Sequence, residues 1–370
     1  MIKAVILGAA HSHCIGIAQY TTDHPDYELL GIADIKSKED GVPYIAYTTD
    51  WCRDLVKDKF NIPVYDDYKK MLDELKPDVA FITTDNVQKV EVVEECAKRG
   101  IDVSIEKPLA INLEEAKKIE SYAKEYGITA LVNWPYAWRP YLHKLISVAK
   151  SGVVGKPLKL RHLQAFCGPI GKQGTHVGEN REDKVADIKN WNEMTDDIRS
   201  KTWWYKEECG GGAVIDMTSY GCYLSDWLFG NDCSVVAHGA NLDSKFSNVN
   251  DDCAAIIKYT ETMSVIEGSW ITPIEATRPG PMILCENGVV MSTFDGANFD
   301  VKALDIFGCE VDIPETKLGE EYNNIAYHYA HHKKTGEPVF EMLSIEKNVE
   351  VMSILDAILR SIKSGKNEKV

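Results

Sequence analysis

The chain has 370 residues, 44% of them hydrophobic and 26% charged, so it is long enough for two globular domains. Its 57 Asp and Glu outnumber 41 Lys and Arg, and the net charge of −16 argues against a nucleic-acid partner. No apolar run approaches the roughly 20 residues that span a membrane, and ten cysteines without a CxxC pair suggest reduced thiols in a cytoplasmic protein.

The first third of the chain alternates apolar strands with amphipathic helices. A strand over residues 3–8 precedes a helix over 13–23, and a second strand over 27–33 ends at Asp34. Further strands are predicted at the end of this third, over residues 79–83, 101–105 and 128–134. This alternation is typical of a parallel sheet covered by helices on both faces. We therefore predict an α/β Rossmann-type, NAD-binding domain over residues 1–134.

The turn after the first strand departs from the usual dinucleotide pattern. Where that pattern has GxGxxG, residues 8–13 have the sequence GAAHSH, so only Gly8 is retained. Alanine at position 10 still allows the backbone to approach a diphosphate, whereas His13 alters the close contact between helix and strand. His11 and His13 are either helix-start residues near the diphosphate or simply polar loop residues.

Asp34 lies 26 residues after Gly8, close to the spacing at which such folds place a carboxylate on the adenosine ribose. A carboxylate there accepts hydrogen bonds from the ribose hydroxyls and repels a 2′-phosphate. We expect NAD rather than NADP, although Lys36 and Lys38 lie close enough to weaken this preference.

A charged motif follows the strand at 101–105, namely Glu106-Lys107-Pro108. Open α/β sheets bind ligands at the carboxyl ends of their strands, so we expect Lys107 to lie against a redox cofactor. A surface Glu-Lys pair at a turn is the alternative. We hypothesise that Pro108 sets the direction of the lysine, with a cis bond between residues 107 and 108.

Beyond residue 134 the pattern changes to strands that follow one another through turns. After a helix over 140–149, alternating segments occur at residues 158–166, 234–240, 252–259, 263–270, 281–285, 289–293 and 299–306. Such a succession predicts an α+β domain with a mostly antiparallel sheet over residues 135–370. Helices usually cover one face of such a sheet, and the other face often meets a second subunit, so we expect a homodimer or homotetramer.

The second domain contains three consecutive glycines, Gly210 to Gly212, followed by an apolar helical stretch. Asp216 and Tyr220 are four residues apart and therefore share one helix face. They are candidates for an acid/base group and its neighbour. Alternatively, Tyr220 packs with the nearby aromatic residues Tyr223, Trp227 and Phe229.

The order of these motifs resembles the Gfo/Idh/MocA family, which includes glucose-fructose oxidoreductase and inositol dehydrogenase. The resemblance implies a second domain with a large open sheet, redox chemistry on a sugar, polyol or similar alcohol, and Lys107 and Tyr220 facing the nicotinamide. Tyrosine at 220, where many members have histidine, is similar to the branch with xylose and dimeric dihydrodiol dehydrogenases. Asp85 and Lys89 depart from the proline and histidine common there, so this side of the pocket is expected to differ.

The resemblance and the strand ends together define an expected cofactor site. Its members are Gly8, Ala10, His11, Ser12, His13, Asp34, Thr83, Thr84, Asn86, Glu106 and Lys107. For the chemistry, Tyr220 is the expected base for an alcohol proton, and the Lys107 ammonium is expected to favour its phenolate. Asp216 is expected to orient Lys107 or the substrate.

Candidate substrate contacts are less certain from the pattern alone. Trp134 and Trp204, like Trp138 and Trp203, either stack on a sugar ring or belong to the core. His162 and Gln164 alternate on one strand and either bind hydroxyls or lie at an exposed edge. The glycine-containing segment over 167–200 is expected either to act as a lid or to reach into a neighbouring subunit, and its His176 is a further candidate contact.

The leading functional hypothesis is an NAD-dependent dehydrogenase or reductase of a monosaccharide, polyol or glycoside. One alternative keeps NAD tightly bound and recycles it through a keto-sugar, including a 3-keto-glycoside. A second is a non-catalytic, NAD-sensing regulator on the same fold. His328 and His332 share a helix face, but no nearby carboxylate or cysteine completes a metal site, so we expect no metal.

Overall fold

The computed structural model describes residues 1–39, 41–169 and 195–370. It contains one six-stranded and one nine-stranded sheet, so the predicted fold class is confirmed. The boundary between domains after residue 134 remains a prediction.

All six strands of the first sheet are parallel. They are β1 (Ile2–Leu7), β2 (Tyr27–Ala33), β3 (Val64–Tyr65), β4 (Val79–Ile82), β5 (Asp102–Glu106) and β6 (Ala130–Asn133). Their order is β3-β2-β1-β4-β5-β6. Strands are added on one side of β1 up to β3 and on its other side from β4 onward, so the strand order reverses between β1 and β4. Ligands of open α/β sheets bind beyond the carboxyl ends of the strands at such a reversal.

Five helices accompany this sheet: α1 (His13–Asp23), α2 (Thr49–Phe60), α3 (Tyr68–Leu75), α4 (Lys89–Ala97) and α5 (Leu113–Tyr126). The sequence did not predict α2, because only Thr49, Cys52 and Val56 of this polar segment are buried. Those three residues lie at helical spacing, too sparse a signal against the preceding turn-rich stretch. Helix α2 carries Arg53, which pairs with Asp34.

The second sheet has the order β14-β13-β12-β11-β7-β10-β9-β8-β15. Its strands are β7 (Pro157–Ala165), β8 (Ser234–Ala240), β9 (Asp252–Lys258), β10 (Met263–Ser269), β11 (Met282–Cys285), β12 (Gly288–Phe294), β13 (Phe299–Asp305), β14 (Glu310–Val311) and β15 (Glu368–Lys369). Among the described strands, β7 and β10 pair in parallel and the other neighbours are antiparallel. The outer face exposes apolar side chains such as Val236 and Ile256, which supports the predicted subunit contact without testing it.

The remaining helices are α6 (Pro140–Ser151), α7 (Asp196–Lys201), α8 (Ser219–Phe229), α9 (Ile325–Thr335) and α10 (Ile345–Ser364). Hydrogen bonds attach α9 to the first sheet. The Tyr27 hydroxyl donates to the Ala326 carbonyl at 2.9 Å, and Asp102 Oδ2 accepts from the Tyr329 hydroxyl at 2.7 Å and from Lys333 Nζ at 3.1 Å. Helix α10 packs on both α5 and β8. In the described part of the chain, none of the helices combines the length and apolar character that crossing a bilayer requires.

We predict that Tyr329→Phe lowers the free energy of unfolding by about 1–2 kcal/mol, because it leaves the buried Asp102 carboxylate with one hydrogen bond fewer. Urea unfolding followed by circular dichroism measures this loss. Tyr126→Phe, at a 40% exposed tyrosine of α5, is the control. Equal stability of the two variants would show that the hydrogen bond from Tyr329 to Asp102 contributes nothing.

Candidate active site

Gly8 begins the turn that follows β1, and its conformation requires glycine. Its φ is +82°, and a Cβ at this position would lie 2.8 Å from Thr84 Cγ2. The Thr83 hydroxyl donates to the Gly8 carbonyl at 2.7 Å and so joins the ends of β1 and β4. The Thr84 hydroxyl is buried and has no hydrogen-bond partner among the described residues. An unsatisfied buried hydroxyl beside a turn that approaches so closely fits a polar ligand.

His11 and His13 lie between this turn and the end of β5. His13 Nδ1 is 2.9 Å from Glu106 Oε1, and the Asn133 amide donates to the other oxygen of Glu106 at 3.0 Å. Ser12 precedes α1 without forming a side-chain cap, and the His13 amide at the start of the helix donates to His11 Nδ1 at 3.3 Å. The potential ligand atoms of His11, His13 and Glu106 lie within 4.8 Å of one another, close enough to share a metal ion.

Two stacked tryptophans from the second half of the chain cover the turn. The rings of Trp203 and Trp204 lie 3.8 Å apart, and the Trp203 indole donates to the Ala10 carbonyl at 3.0 Å. The Trp204 ring meets the His11 ring at 5.1 Å. Gly211 allows this packing, because a Cβ there would lie 2.1 Å from the Trp204 carbonyl oxygen. Trp204, a candidate substrate contact in the sequence, therefore lies at the dinucleotide turn.

Asp34, at the end of β2, is largely buried and forms ion pairs with two cations. Arg53 of α2 lies 2.8 Å from its Oδ2 and Lys36 lies 2.7 Å from the same atom. Beside them is a cavity of about 250 Å³ lined by polar side chains that include Thr49 and Asp50. The sequence did not identify Arg53, because α2 itself was not predicted. The pattern placed only Lys36 and Lys38 near the carboxylate.

Lys107 extends from the end of β5 toward the second half of the chain, where its ammonium forms an ion pair with the Asp216 carboxylate. The ammonium also donates to the Asp216 carbonyl at 3.2 Å and lies 4.7 Å from the centre of the Tyr220 ring. Asp216 belongs to a π-helical turn, Val214–Thr218, that leads directly into α8 and Tyr220. The Trp270 indole donates to the second oxygen of Asp216 at 3.0 Å. The peptide bond between Lys107 and Pro108 is cis, as hypothesised.

Burial and charge act on these groups in opposite directions. Burial disfavours the Lys107 ammonium, but the Asp216 carboxylate outweighs it and raises the pKa of Lys107 well above its usual value. Burial raises the pKa of Tyr220 to about 12, although the neighbouring lysine lowers it. Lys107 thus favours the phenolate, as expected, but burial outweighs its effect and the pKa of Tyr220 stays above its usual value. Lys107 is a cation and Tyr220 a neutral phenol at neutral pH.

Tyr136 connects Tyr220 with the second sheet and was not foreseen. Its ring lies 4.6 Å from the Tyr220 ring, and its hydroxyl donates to Gln164 and lies 3.0 Å from His162 Nε2. Burial lowers the pKa of His162 to about 3, so this histidine is neutral. His162 and Gln164 share one face of β7, as their alternation predicts. The alternative of an exposed sheet edge is wrong, since β7 lies between β11 and β10.

Trp134 follows β6 and is only 1% exposed. Its indole donates to Asn348 Oδ1 at 2.5 Å, and its ring meets the edge of the Tyr220 ring at 5.5 Å. It therefore packs behind Tyr220 as part of the core. Trp138 donates to Asn133 Oδ1 at 3.0 Å. His176 lies outside the described residues.

Two family models match the chain. The oxidoreductase family model with an NAD-binding Rossmann fold, GFO_IDH_MocA, covers residues 2–134, and a GFO/IDH/MocA C-terminal domain model covers residues 184–291.

Two curated relatives are distant but align over most of this chain. D-xylose 1-dehydrogenase (NADP(+)) 2 of Haloferax volcanii is 21% identical over 84% of this chain and 86% of its own. The scyllo-inositol 2-dehydrogenase (NAD(+)) of Bacillus subtilis is 22% identical over 95% of this chain and 92% of its own.

Solved structures share the fold over the whole chain. The aldose-aldose oxidoreductase of Caulobacter crescentus, complexed with glycerol, has a TM-score of 0.74 at 16% identity and is covered to 99%. An oxidoreductase of Agrobacterium radiobacter, in complex with NAD+, L-tartaric acid and magnesium, has a TM-score of 0.72 at 15% identity and is covered to 98%. Both alignments cover 100% of this chain. The matched models, together with the two sheets, show that the chain belongs to the GFO/IDH/MocA family of oxidoreductases, whose first domain is an NAD-binding Rossmann fold.

Proposed function

We propose that this protein transfers hydride between a secondary alcohol of a sugar, polyol or glycoside and NAD. In this proposal Tyr220 is the acid/base group, and Lys107 is the cation that stabilises charge beside it. The observation that carries the proposal is the buried contact of Lys107, Asp216 and Tyr220, which brings together the end of β5 and the start of α8. The names of the xylose and inositol dehydrogenase relatives support this substrate class.

The bound nicotinamide supplies the hydride acceptor or donor in this chemistry. Tyr220 gives a proton to the carbonyl oxygen during reduction and removes it from the hydroxyl during oxidation. The Lys107 ammonium stabilises the negative charge that develops on the same oxygen. Asp216 holds the ammonium in place, and the Trp270 indole holds Asp216.

The polar groups beside Tyr220 favour an uncharged, hydroxyl-rich substrate. Tyr136, His162 and Gln164 offer a phenol, a neutral imidazole and an amide, all of which hydrogen-bond hydroxyl groups without bearing charge. The His162 Nδ1 atom is buried without a partner among the described residues, so one hydrogen-bonding position remains available in this set.

The same residues support the assignment of the cofactor-binding positions. Gly8 and the Thr84 hydroxyl bind the diphosphate beside the start of α1, and Asp34 accepts hydrogen bonds from the ribose hydroxyls. The remaining expected members of the cofactor site line the same edge of the sheet: Ala10, His11, Ser12, His13, Thr83, Asn86, Glu106 and Lys107. The Asp34 carboxylate repels a 2′-phosphate and makes NADP the less favoured cofactor, whereas the Arg53 and Lys36 cations beside it weaken that preference.

A second candidate is an enzyme that retains and recycles its cofactor. The observation that favours it is that the stacked rings of Trp203 and Trp204 cover the dinucleotide turn. They would therefore also cover a diphosphate bound there. Absorbance of the purified protein after acid release of the nucleotide distinguishes the two, since only the recycling enzyme copurifies with stoichiometric NAD. A non-catalytic regulator has no need of the Lys107 and Tyr220 pair.

We expect Tyr220→Phe and Lys107→Met each to lower kcat about 10²- to 10⁴-fold, because each removes a group that acts on the reacting oxygen. NADH formation is measured against a panel of sugars, polyols and glycosides that includes xylose and inositols. Tyr223→Phe is the matched control, since Tyr223 lies one turn along α8 with a buried hydroxyl that has no partner among the described residues. Turnover within tenfold of wild type in both active-site variants would rule out the mechanism.

The pKa of Tyr220 predicts different pH profiles for the two directions. Below a pKa of about 12 the phenolate fraction rises roughly tenfold per pH unit, so kcat/KM for alcohol oxidation rises throughout pH 6–10. The neutral phenol required for carbonyl reduction is already the main form, so reduction stays flat over the same range. Initial rates in both directions test this difference. A plateau of the oxidation profile near neutral pH would contradict it.

Asp34→Asn is expected to lower the Kd for NADPH at least about tenfold, because it removes the negative charge and frees Arg53 and Lys36 for a 2′-phosphate. Fluorescence titration with NADH and NADPH measures both affinities. Asp50→Asn is the control, since Asp50 pairs with the same two cations but is half-exposed. The same change in both variants would show that Asp34 does not select the cofactor.

A further inference from the structure

Lys89 is a buried cation that the mechanism does not use. It lies at the start of α4 and is 1% exposed. Its ammonium donates to three oxygens, which are Asn86 Oδ1 at 2.8 Å, the Glu106 carbonyl at 2.6 Å and the Pro108 carbonyl at 2.6 Å. Three acceptors satisfy all three protons of an ammonium group. The hydrogen-bonding capacity of the side chain is therefore fully used.

Two of the three acceptors lie on the backbone on either side of Lys107. The carbonyls of Glu106 and Pro108 belong to the residues immediately before and after it, so a single ammonium holds both flanking peptide groups. The direction of a lysine side chain depends on the orientation of its own backbone, which these two bonds restrict. Lys89 therefore acts on the point from which Lys107 departs.

The third bond of Lys89 continues to the other half of the active site. The Asn86 amide that accepts from Lys89 also donates, through Nδ2, to the Gly210 carbonyl at 2.8 Å. Gly210 begins the segment that leads to Asp216, and Asp216 binds Lys107. The contacts thus form a closed ring that passes from Lys89 through Asn86 and the glycine segment to Asp216, and back through Lys107.

Lys89 contributes little to stability that an apolar residue would not. None of its three hydrogen-bond partners is a carboxylate, and a buried ammonium without one is costly. The pKa of Lys89 is lowered to about 7, chiefly by burial, with Glu106 opposing the shift and the Lys107 cation adding to it. A methionine fills a similar volume without this cost, so the ammonium is better explained by what it holds.

We propose that Lys89 is a positioning residue, which directs Lys107 by binding the carbonyls on both sides of it and, through Asn86, couples that direction to the glycine segment carrying Asp216. This inference rests on the proposed role of Lys107 in hydride transfer. Its structural half, the coupling of two distant segments, is measurable without turnover.

The test compares Lys89→Met with Lys347→Met. Lys347 is the matched control, a partly buried lysine whose ammonium pairs with Asp226 and Glu350. For Lys89→Met we expect kcat to fall about 10- to 100-fold with KM within threefold of wild type, since small displacements of catalytic groups cost this much. We expect Lys89→Arg, which keeps the charge and the donors, to restore part of the loss. Lys347→Met should leave kcat within threefold.

The second readout is amide hydrogen exchange followed by mass spectrometry. In Lys89→Met, we expect faster exchange both in peptides over residues 102–112 and in peptides over 208–218. Exchange confined to α4, or kcat within threefold of wild type, would overturn the inference. If the wild-type protein binds NADH but oxidises no alcohol, the proposed function fails and the exchange result alone decides. If Lys89→Met does not fold, Asn86→Ala takes its place with the same readouts.

Discussion

The buried ion pair of Lys107 and Asp216 is the interaction on which the arrangement of the site depends. One partner leaves the end of β5 in the first sheet, and the other lies in the π-helical turn before α8 in the second half of the chain. Both charges are almost fully buried, so either one alone would carry a desolvation penalty of several kcal/mol. The pair is stable only when the two halves of the chain meet in this register, and Tyr220, one helical turn further, is then placed over the lysine.

The pair also explains the electrostatic state of the site. An ammonium held by a carboxylate stays charged, and its field reaches the adjacent phenol. Burial nevertheless outweighs that field at Tyr220, so the resting phenol keeps its proton. In the proposed mechanism this phenol donates a proton readily and accepts one only under alkaline conditions. Around it, Tyr136 and the neutral His162 provide polarity without charge, which suits the proposed hydroxyl-rich substrate.

Much of the fold follows from local patterns. The alternation of apolar strands and amphipathic helices predicted the parallel sheet, and the later run of alternating strands predicted the mostly antiparallel one. Lys107 and Tyr220 were identified from a strand end and a glycine-led helix, signals confined to a few neighbouring residues. Helix α2 was not predicted because its buried face has only three residues, and Arg53 was therefore not identified.

The sequence by itself determined the order of elements, the family and the residue types available for catalysis, because these depend on periodicity and short motifs. Only the tertiary structure decided which distant residues meet. It placed Trp204 at the dinucleotide turn, Tyr136 beside Tyr220, and Lys89 under the backbone of Lys107. It also decided the protonation of the tyrosine, because burial is a property of the packed chain and no spacing along the sequence measures how much water a group has lost.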